Sequence, residues 1–459
     1  MVATTPTSTP GTSVNPISVR KASAFAVGTN VIQVLGGFIA AGVLARLLGP
    51  AQKGSYDLYM ATAMFLSVIL GFALNAGIIY VVASQPVNTA RLMRVLALIA
   101  LGEALVAWGV MYVLGALGRS SSVIPADFGA WGAPVIAGTV FLLSVSIFYR
   151  AILVGHRQFI AANRGDVMKQ AASLGFIALG VALARFGHVT LLQGVIFANM
   201  AAIGIAIASY GFGAPAGQVG TADLGLGRAF RFSLPSYLAN ASQYLNNRID
   251  LYFIYHYWGT AHVGLYQTSV LIAQSITLLP SAVQGILFPT IASNRFSRQE
   301  TIATVTRTHR LLFYVGLFMA ASAAISGPLM IPLVFGRAFA KSAVSLAILA
   351  PGCAVFVTTI VLAAYFAGTG RPKINFINSL IQAVVTIGLD SLVVSRWSYY
   401  GAAAVWAFSC LVSSSCCLVV FCRETKVRLS DLYVLNNSDV KLAQQYFRVF
   451  AARLAIAKS

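Results

Sequence analysis

The chain has 459 residues, of which 58% are hydrophobic and 9% are charged, and its mean hydropathy is +0.81. A soluble globular domain carries about 25% charged residues, so this composition excludes an ordinary soluble protein and predicts a polytopic membrane protein. The formal net charge of +20 indicates membrane topology and attraction to anionic lipid headgroups, and it favours these over a nucleic-acid partner.

Apolar runs of about 20 residues follow one another along the chain, each long enough to cross the hydrocarbon core as a helix. The runs are continuous rather than alternating with polar residues, so the sequence predicts an all-α integral membrane protein. We predict about twelve transmembrane helices, at residues 23–46, 56–83, 92–117, 133–154, 167–185, 189–210, 234–257, 264–289, 311–335, 342–367, 374–395 and 400–421.

Lysine and arginine are distributed unevenly between the two sides of the predicted membrane. One side carries 23 of the 31 residues, the other side carries seven, and Arg248 lies inside a span. Because cytoplasmic loops are enriched in these residues, both termini are predicted to be cytoplasmic.

An internal repeat divides the chain. The segments Gly49–Tyr56 and Gly259–Tyr266 share the pattern GxAxxGxY at an offset of 210 residues, which corresponds to six helices with their loops. An even number of helices keeps the orientation, so the repeats are parallel. This pattern predicts two pseudo-symmetric six-helix lobes, the architecture of many alternating-access transporters.

The predicted domain boundaries follow from this repeat and from local composition. Residues 1–19 contain no charged residue and are predicted to be a disordered cytoplasmic tail. The N-terminal lobe spans 20–211, a Gly-rich cytoplasmic linker spans 212–231, and the C-terminal lobe spans 232–422. The remaining segment, 423–459, is predicted to be a cytoplasmic tail with an amphipathic helix that starts at Ser438 or Asp439.

The sequence contains no GxSxG, P-loop or HExxH motif, and its five cysteines have no metal-ligand spacing. We therefore predict no enzymatic activity, no metal and no cofactor. A transporter without a nucleotide site depends on an ion gradient, the membrane potential or the gradient of its substrate. Ionisable residues inside the spans are then the candidates for function.

Arg248 is the most unusual of these residues. It lies about twelve residues into its span, which at 1.5 Å per residue places it roughly 18 Å deep, near the bilayer centre. Since a guanidinium presents a fork of donors suited to phosphate oxygens, we predict that Arg248 lines a cavity and binds an anionic group. The alternative is a structural ion pair with a carboxylate on a neighbouring helix.

Other residues are candidates for the same substrate site. Asn240, Gln243 and Asn247 are spaced by three and four positions, so they share one helix face that should not face lipid. Arg46 and His256 occupy equivalent positions, each three residues before a repeat, and could supply matching cations. Ordinary snorkelling at the outer interface is the alternative for these two residues.

Four acidic residues are candidates for coupling or gating. Asp57 is predicted to form a local gate ion pair with a nearby cation such as Lys53, or to be a solvated loop charge. Glu103 and Asp390 could bind a coupling proton or sodium ion, or be buried against an arginine. Asp250 follows the predicted anion-binding arginine by two positions, which points it roughly 200° around the helix, toward another helix or the lobe interface.

Several short motifs carry a resemblance to a known family. They are Arg46-Leu-Leu-Gly-Pro50 with Gly54 and Tyr56, Leu234-Pro-Ser-Tyr237, Asn247-Arg-Ile-Asp250, Gly264-Leu-Tyr266, Leu279-Pro280 and Phe288-Pro289. From about residue 20 to 422, the chain resembles the polysaccharide-biosynthesis branch of the multidrug/oligosaccharidyl-lipid/polysaccharide (MOP) exporter superfamily, and within it the Wzx-type flippases.

This resemblance implies a flippase that moves an undecaprenyl-pyrophosphate-linked oligosaccharide from the inner to the outer leaflet of a bacterial inner membrane, for cell-surface or exopolysaccharide synthesis. It implies membrane lipids, a polymerase and export machinery as partners, and a pyrophosphate that suits Arg248. Drug exporters of the superfamily share the twelve-helix plan, so a cation-coupled small-molecule antiporter is an alternative, as is a scaffold that transports nothing. Lipid II flippases have fourteen helices, which argues against that assignment.

Overall fold

The computed structural model describes residues 16–118, 123–215, 224–293 and 297–435. This part of the chain is built almost entirely from helices, which confirms the all-α prediction. The helices are α1 (Pro16–Leu70), α2 (Leu74–Ser84), α3 (Thr89–Ala116), α4 (Gly132–Gly155), α5 (Phe159–Arg185), α6 (Leu191–Gly213), α7 (Leu226–Asn246), α8 (Ile249–Trp258), α9 (Thr260–Ser275), α10 (Leu278–Ala292), α11 (Arg298–Phe335), α12 (Ser342–Gly368), α13 (Pro372–Thr425) and α14 (Leu429–Tyr433).

Each predicted span coincides with one of these helices or with a pair of them. Helix α13 covers two spans, and it is interrupted at Ser398, which has non-helical backbone. Helix α1, interrupted in the same way at Gly49, covers the first span and the beginning of the second, which continues in α2. The seventh span is divided between α7 and α8, and the eighth between α9 and α10, which are bent by 47° relative to each other. Among the described helices, eight are long and apolar enough to cross a membrane, or nine if this bent pair is one span.

The ends of several helices differ from the prediction. Helix α1 begins at Pro16, inside the segment 1–19 predicted as a tail, because proline lacks an N–H and its fixed φ suits the first turn of a helix. Helix α7 begins at Leu226, inside the predicted linker. Residues 1–15 of the tail, residues 216–223 of the linker and the amphipathic helix predicted after Ser438 lie outside the described residues.

The chain divides into two compact units. The first comprises Met1–Ala40, Leu74–Leu101 and Leu142–Phe230. In this unit α5 and α6 pack closely at Gly180 and Gly194, where a Cβ on either glycine would lie 2.6 Å from the carbonyl oxygen of the other. Tight backbone packing of this kind requires small residues at the helix contact.

The second unit comprises Ala41–Ala73, Gly102–Phe141 and Arg231–Ser459. Helix α12 lies at its centre and packs against α9, α10, α11 and α13. Its side chains Val357, Val361 and Phe366 are fully buried. Hydroxyl contacts also join its helices, since the Ser269 hydroxyl of α9 donates to the Ser342 carbonyl of α12 at 2.8 Å.

Helix α14 lies against the side of α11 in this second unit. Helix α13 ends at Thr425. The next residue, Lys426, adopts the left-handed conformation, and the chain then turns back. Arg310 of α11 donates to the carbonyl oxygens of Asp431 and Val434 at 2.7 and 3.0 Å, and Leu432 between them is fully buried. The arginine therefore satisfies carbonyl groups that the short helix cannot pair by itself.

Candidate functional site

The seventh span is interrupted at Asn247 and Arg248. Helix α7 ends at Asn246 and α8 starts at Ile249, and Arg248 between them has φ −138° and ψ −11°. The amide N–H of Arg248 donates to the carbonyl of Leu245 at 3.1 Å, so the backbone makes a tight turn here. Irregular backbone within a membrane span is tolerated where it lines a cavity, so this break indicates a functional position.

A polar cavity of about 730 Å³ lies at this break, within the second unit. Its volume is in the range of small-molecule binding sites, about 300 to 1,000 Å³. Carboxamide and hydroxyl side chains dominate the lining, and among the described lining residues Arg248 is the only one with a charge. The lining residues are Gln243, Tyr244, Asn247, Arg248, Gln274, Thr277, Leu278, Ser281, Gln284, Phe356, Thr359, Ile360, Ala363, Asn375, Asn378, Ser379 and Trp406.

The guanidinium of Arg248 is partly exposed and points into this cavity. It lies beside the hydroxyl of Tyr244, which donates to the Ala61 carbonyl at 3.0 Å. Asp57 and Asp250 are close enough to attract it electrostatically, yet within the described part of the chain Arg248 forms no ion pair. The Tyr244 hydroxyl occupies part of the guanidinium fork, and binding of an anion by Arg248 stays a prediction.

Two of the three predicted amides also line the cavity. Gln243 donates to the Oδ1 atom of Asn247 at 3.4 Å and accepts from the hydroxyl of Ser379 at 3.5 Å, so both hydrogen bonds are long and weak. Asn240 is in the same helix, but its side chain lies outside the described residues. A ligand in the cavity can therefore replace these weak hydrogen bonds with its own hydrogen bonds to Gln243 and Asn247.

Arg46 and His256 lie away from the cavity lining. Arg46 donates to the backbone carbonyls of Leu333 and Val334, the latter at 2.9 Å, near the end of α11. His256 is exposed in the last turn of α8, and its ring packs against Tyr257 with the ring centroids 4.8 Å apart. The structure therefore does not bring these two residues together with Arg248, and their role in binding stays a prediction.

Asp57 and Glu103 lie outside the described cavity lining as well. Asp57 forms the local ion pair expected from the sequence, with the Lys53 Nζ atom 2.5 Å from its Oδ2 atom. The Lys53 side chain is almost completely buried, so this pair is shielded from solvent. Glu103 is buried in α3, next to Gly71. A gating or coupling role for either carboxylate stays a prediction.

Asp250 and Asp390 are buried carboxylates on α8 and α13, two helices that pack against each other. Asp250 accepts from the hydroxyl of Tyr266 and from the Leu251 N–H at 2.9 Å, and it borders a small void that shares Asn247 with the cavity lining. Asp390 is fully buried, and neither of its carboxylate oxygens has a hydrogen-bond partner among the described residues. The two carboxylates repel each other electrostatically.

Comparison with known proteins identifies the family. A family model described as "Polysaccharide biosynthesis protein" matches residues 43–344. The chain belongs to this family. Its resemblance to the polysaccharide-biosynthesis branch is thereby confirmed.

The chain also resembles a curated relative and several solved structures. It is 21% identical over 188 residues to the capsular polysaccharide biosynthesis protein CapF of Staphylococcus aureus, which covers 40% of this chain and 47% of the relative. The chain thus spans about half the length of this curated relative.

Two solved structures match most of the chain. An inward-facing multidrug resistance MATE family transporter of the MOP superfamily gives a TM-score of 0.62 at 14% identity, over 86% of this chain and 94% of that one. The lipid II flippase MurJ, in an inward closed conformation, gives 0.66 at 12% identity, over 89% of both chains. The chain therefore has the fold of these membrane transporters.

The two copies of the GxAxxGxY repeat contact each other in the folded chain. Gly49 and Gly259 begin the copies with the same unusual backbone, φ 66° and φ 78°, which glycine adopts without strain. Five residues later, Gly54 packs against the backbone of Thr260, and Gly264 packs against the backbone of Pro50. A Cβ on either glycine would overlap the facing carbonyl group.

Sequence reasoning missed three residues of the site. Tyr266 marked the repeat and one motif of the resemblance, but it was not predicted as a site residue; its hydroxyl donates to Asp250. Asn375 and Asn378 of α13 line the cavity, and the carbonyl oxygen of each has no hydrogen-bond partner among the described residues. Their spacing of three positions places them on one face of α13, which was the available signal.

Proposed function

We propose that this polysaccharide biosynthesis protein is a flippase that moves an undecaprenyl-pyrophosphate-linked oligosaccharide from the inner to the outer leaflet of the bacterial inner membrane by alternating access. The observation that carries the proposal is the cavity at the broken seventh span, where Arg248, which forms no ion pair within the described part of the chain, faces a wall of neutral polar groups. A lipid-linked sugar presents the complementary chemistry, an anionic pyrophosphate joined to a neutral, hydroxyl-rich glycan.

In this proposal Arg248 holds the pyrophosphate while the prenyl tail stays in lipid. A guanidinium binds phosphate oxygens with charge-assisted hydrogen bonds, which are stronger in a cavity of low dielectric than in water. The attraction of Asp57 and Asp250 for the same guanidinium limits the affinity. Moderate affinity suits a transporter, because the substrate must leave on the other side.

Energy coupling is proposed to reside in Asp250 and Asp390. A buried carboxylate without a partner is costly as an anion, so it is neutralised by a proton or by a bound cation. Since these two carboxylates repel each other and Asp390 has no hydrogen-bond partner among the described residues, at least one positive charge is needed here. A proton or sodium ion that enters this pair would couple an ion gradient to the adjacent cavity.

Membrane placement belongs to the same proposal. The distribution of lysine and arginine supports an orientation with both termini in the cytoplasm. In that orientation the substrate enters from the leaflet where lipid-linked units are assembled. A polysaccharide polymerase and export machinery are the proposed partners on the other side.

Substitution of Arg248 tests the proposal. Arg248→Ala removes the charge and the donor fork, and hydrogen bonds to a charged group contribute about 1.5 to 3 kcal/mol. We expect transport of a lipid-linked oligosaccharide in proteoliposomes to fall at least about tenfold. Arg248→Lys keeps the charge without the planar fork and should retain an intermediate rate.

The control for this test is Arg396→Ala, which removes an exposed arginine of α13 outside the cavity lining. It should leave transport unchanged. Normal transport by Arg248→Ala, at an equal amount of reconstituted protein, would overturn the proposed site.

A second candidate function is a cation-coupled antiporter of small molecules. The buried pair of Asp250 and Asp390 favours it, because such carboxylates suit cation exchange. Efflux of a cationic drug from cells that produce the protein would support this function. Loss of that efflux in a Glu103→Gln variant would show that Glu103 takes part in cation coupling. Among the described lining residues, however, the one charge is that of Arg248, and it favours an anionic substrate.

A further inference from the structure

A pocket of about 420 Å³ lies in the second unit, where the ends of α11, α12 and α13 come together. Arg298 and Thr301 come from the first turn of α11, Tyr365 from the last turn of α12, Arg371 from the position before α13, and Glu424 from the last turn of α13. We refer to it as the arginine pocket. Its volume lies in the range of small-molecule sites, and it shares no lining residue with the polar cavity at the broken span.

Glu424 connects the two arginines of this pocket. Its carboxylate forms an ion pair with Arg371, and its backbone carbonyl accepts from the Nη2 atom of Arg298 at 3.2 Å. Arg371 also donates to the Thr369 hydroxyl at 3.3 Å, and its guanidinium lies over the Tyr365 ring, 5.9 Å from the ring centroid. These contacts position Arg371 before any ligand arrives, which lowers the entropic cost of binding.

The arginine pocket carries more positive than negative charge. Its described lining contains two arginines and one carboxylate, so the ion pair balances the charge of Arg371 but leaves that of Arg298. Apart from the Glu424 carbonyl, the guanidinium of Arg298 has no hydrogen-bond partner within the described part of the chain, so it keeps donors for an anion. Arg298 is exposed and Arg371 partly exposed, so a ligand can reach both.

A phosphate group matches these donors better than a carboxylate does. Its tetrahedral oxygens can accept from two arginines on different helices and from the Thr301 hydroxyl at the same time, whereas a carboxylate offers two oxygens in one plane. The pocket also lies at the end of the helices that is predicted to face the cytoplasm. Basic pockets between transmembrane helices at that surface are typical sites for phosphorylated lipid headgroups.

We propose that the arginine pocket binds a phosphate group through Arg298 and Arg371, at a site separate from the polar cavity. The phosphate belongs either to an anionic lipid headgroup or to a soluble phosphorylated molecule. This site does not depend on the proposed flippase function, because it requires no transport.

Binding of an anionic lipid tests the first source. Native mass spectrometry of the full-length protein in detergent counts bound lipids as phosphatidylglycerol is added, with phosphatidylcholine of the same acyl chains as the zwitterionic control. The wild type should bind one phosphatidylglycerol more tightly than phosphatidylcholine. Arg298→Ala should weaken binding of phosphatidylglycerol about tenfold, because a charge-assisted hydrogen bond is lost while the ion pair of Arg371 is kept.

Inorganic pyrophosphate tests the second source. Its binding to the full-length protein in phosphatidylcholine nanodiscs is measured by calorimetry. A soluble ligand predicts that Arg298→Ala weakens this binding about tenfold as well. A lipid ligand predicts that the variant weakens only the binding of phosphatidylglycerol. Either result supports the arginine pocket and identifies where its phosphate comes from.

Three further variants serve as controls. Arg423→Ala removes an exposed arginine near the same end of α13 but outside the pocket, and it should leave both affinities unchanged. Glu424→Gln removes the carboxylate that repels a phosphate, so it should tighten phosphate binding about threefold. Asp431→Asn removes an exposed carboxylate outside the pocket and should not tighten it.

Several results would overturn the arginine pocket and leave the flippase proposal standing. One is a wild-type protein that binds neither phosphatidylglycerol nor pyrophosphate, and another is an Arg298→Ala protein with wild-type affinity for both. Equal weakening by Arg423→Ala would show attraction by surface charge alone. Loss of binding in Arg248→Ala, with normal binding by Arg298→Ala, would place the phosphate in the polar cavity instead.

Discussion

Arg248 and Asp250 are two positions apart in the sequence, but their side chains lie in different surroundings. The break in the helix turns Arg248 into the cavity, where it meets Tyr244, while Asp250 enters α8 and binds Tyr266 of α9. A continuous helix would also separate the two side chains, by roughly 200°. The break in addition places the cavity beside Arg248.

Substitution of Asp390 tests the proposed ion coupling most directly. Asp390→Asn carries an uncharged side chain of the same shape, so it mimics the protonated acid and cannot bind a cation by charge. We expect substrate transport in proteoliposomes to lose its dependence on an imposed pH or sodium gradient. Affinity for the lipid-linked oligosaccharide should change less than about threefold, because Asp390 does not line the cavity.

The matched control is Asp431→Asn, which alters an exposed carboxylate in α14. It should leave the gradient dependence intact. Comparing pH and sodium gradients in the wild type identifies the ion. Unchanged gradient dependence in Asp390→Asn would show that the buried pair is structural.

Among the helices, the contact between Gly54 and Gly264 depends most directly on residue size. Gly264→Ala places a methyl group onto the Pro50 carbonyl, and overpacking of this kind is unfavourable by about 1 to 3 kcal/mol. We expect a lower melting temperature in detergent and slower transport. Both effects follow because the α1 segment after Gly49 can no longer approach α9.

Gly285→Ala is the control for this helix contact. Gly285 lies in α10 with open space where its Cβ would be, and alanine is favoured over glycine in a helix by about 1 kcal/mol. This variant should be as stable as the wild type or more stable. A Gly264→Ala protein of wild-type stability would show that the two repeats do not need the close contact.

The sequence was informative where the physical signal is local. Long apolar runs predicted the helices, and a charge within one of them identified Arg248, since charge at that depth is costly. The matching glycines predicted the repeat, although not that Gly54 and Gly264 touch. The partner of Asp250 is Tyr266 on the next helix, and the partner of Asn378 is Ser413, beyond the interruption in α13. No local pattern encodes such contacts.

The ends of the helices could not be predicted from local sequence either. Apolar periodicity places the middle of a span well, but hydrogen bonds to distant residues decide where the helix stops. Arg310 holds α14 by its carbonyl groups, and nothing in the sequence around Asp431 indicates that partner. The break at Arg248 likewise has no proline or glycine to announce it.

Orientation is a property of the entire chain, because it depends on the sum of many loop charges rather than on any one residue. Single-cysteine labelling can measure it. Lys341 and Lys373 are both exposed lysines in loops predicted to lie on opposite sides of the membrane. The five native cysteines are buried or only partly exposed, so background labelling should be low.

Lys341→Cys and Lys373→Cys form a matched pair for this experiment. With a maleimide that does not cross membranes, added to intact spheroplasts, we expect Lys341→Cys to be labelled and Lys373→Cys to be protected. Permeabilised cells should label both, which controls for access. The reverse pattern would place the termini outside the cell. A lipid-linked unit made in the cytoplasm would then approach the opposite face of the protein, and the proposed direction of transport would be wrong.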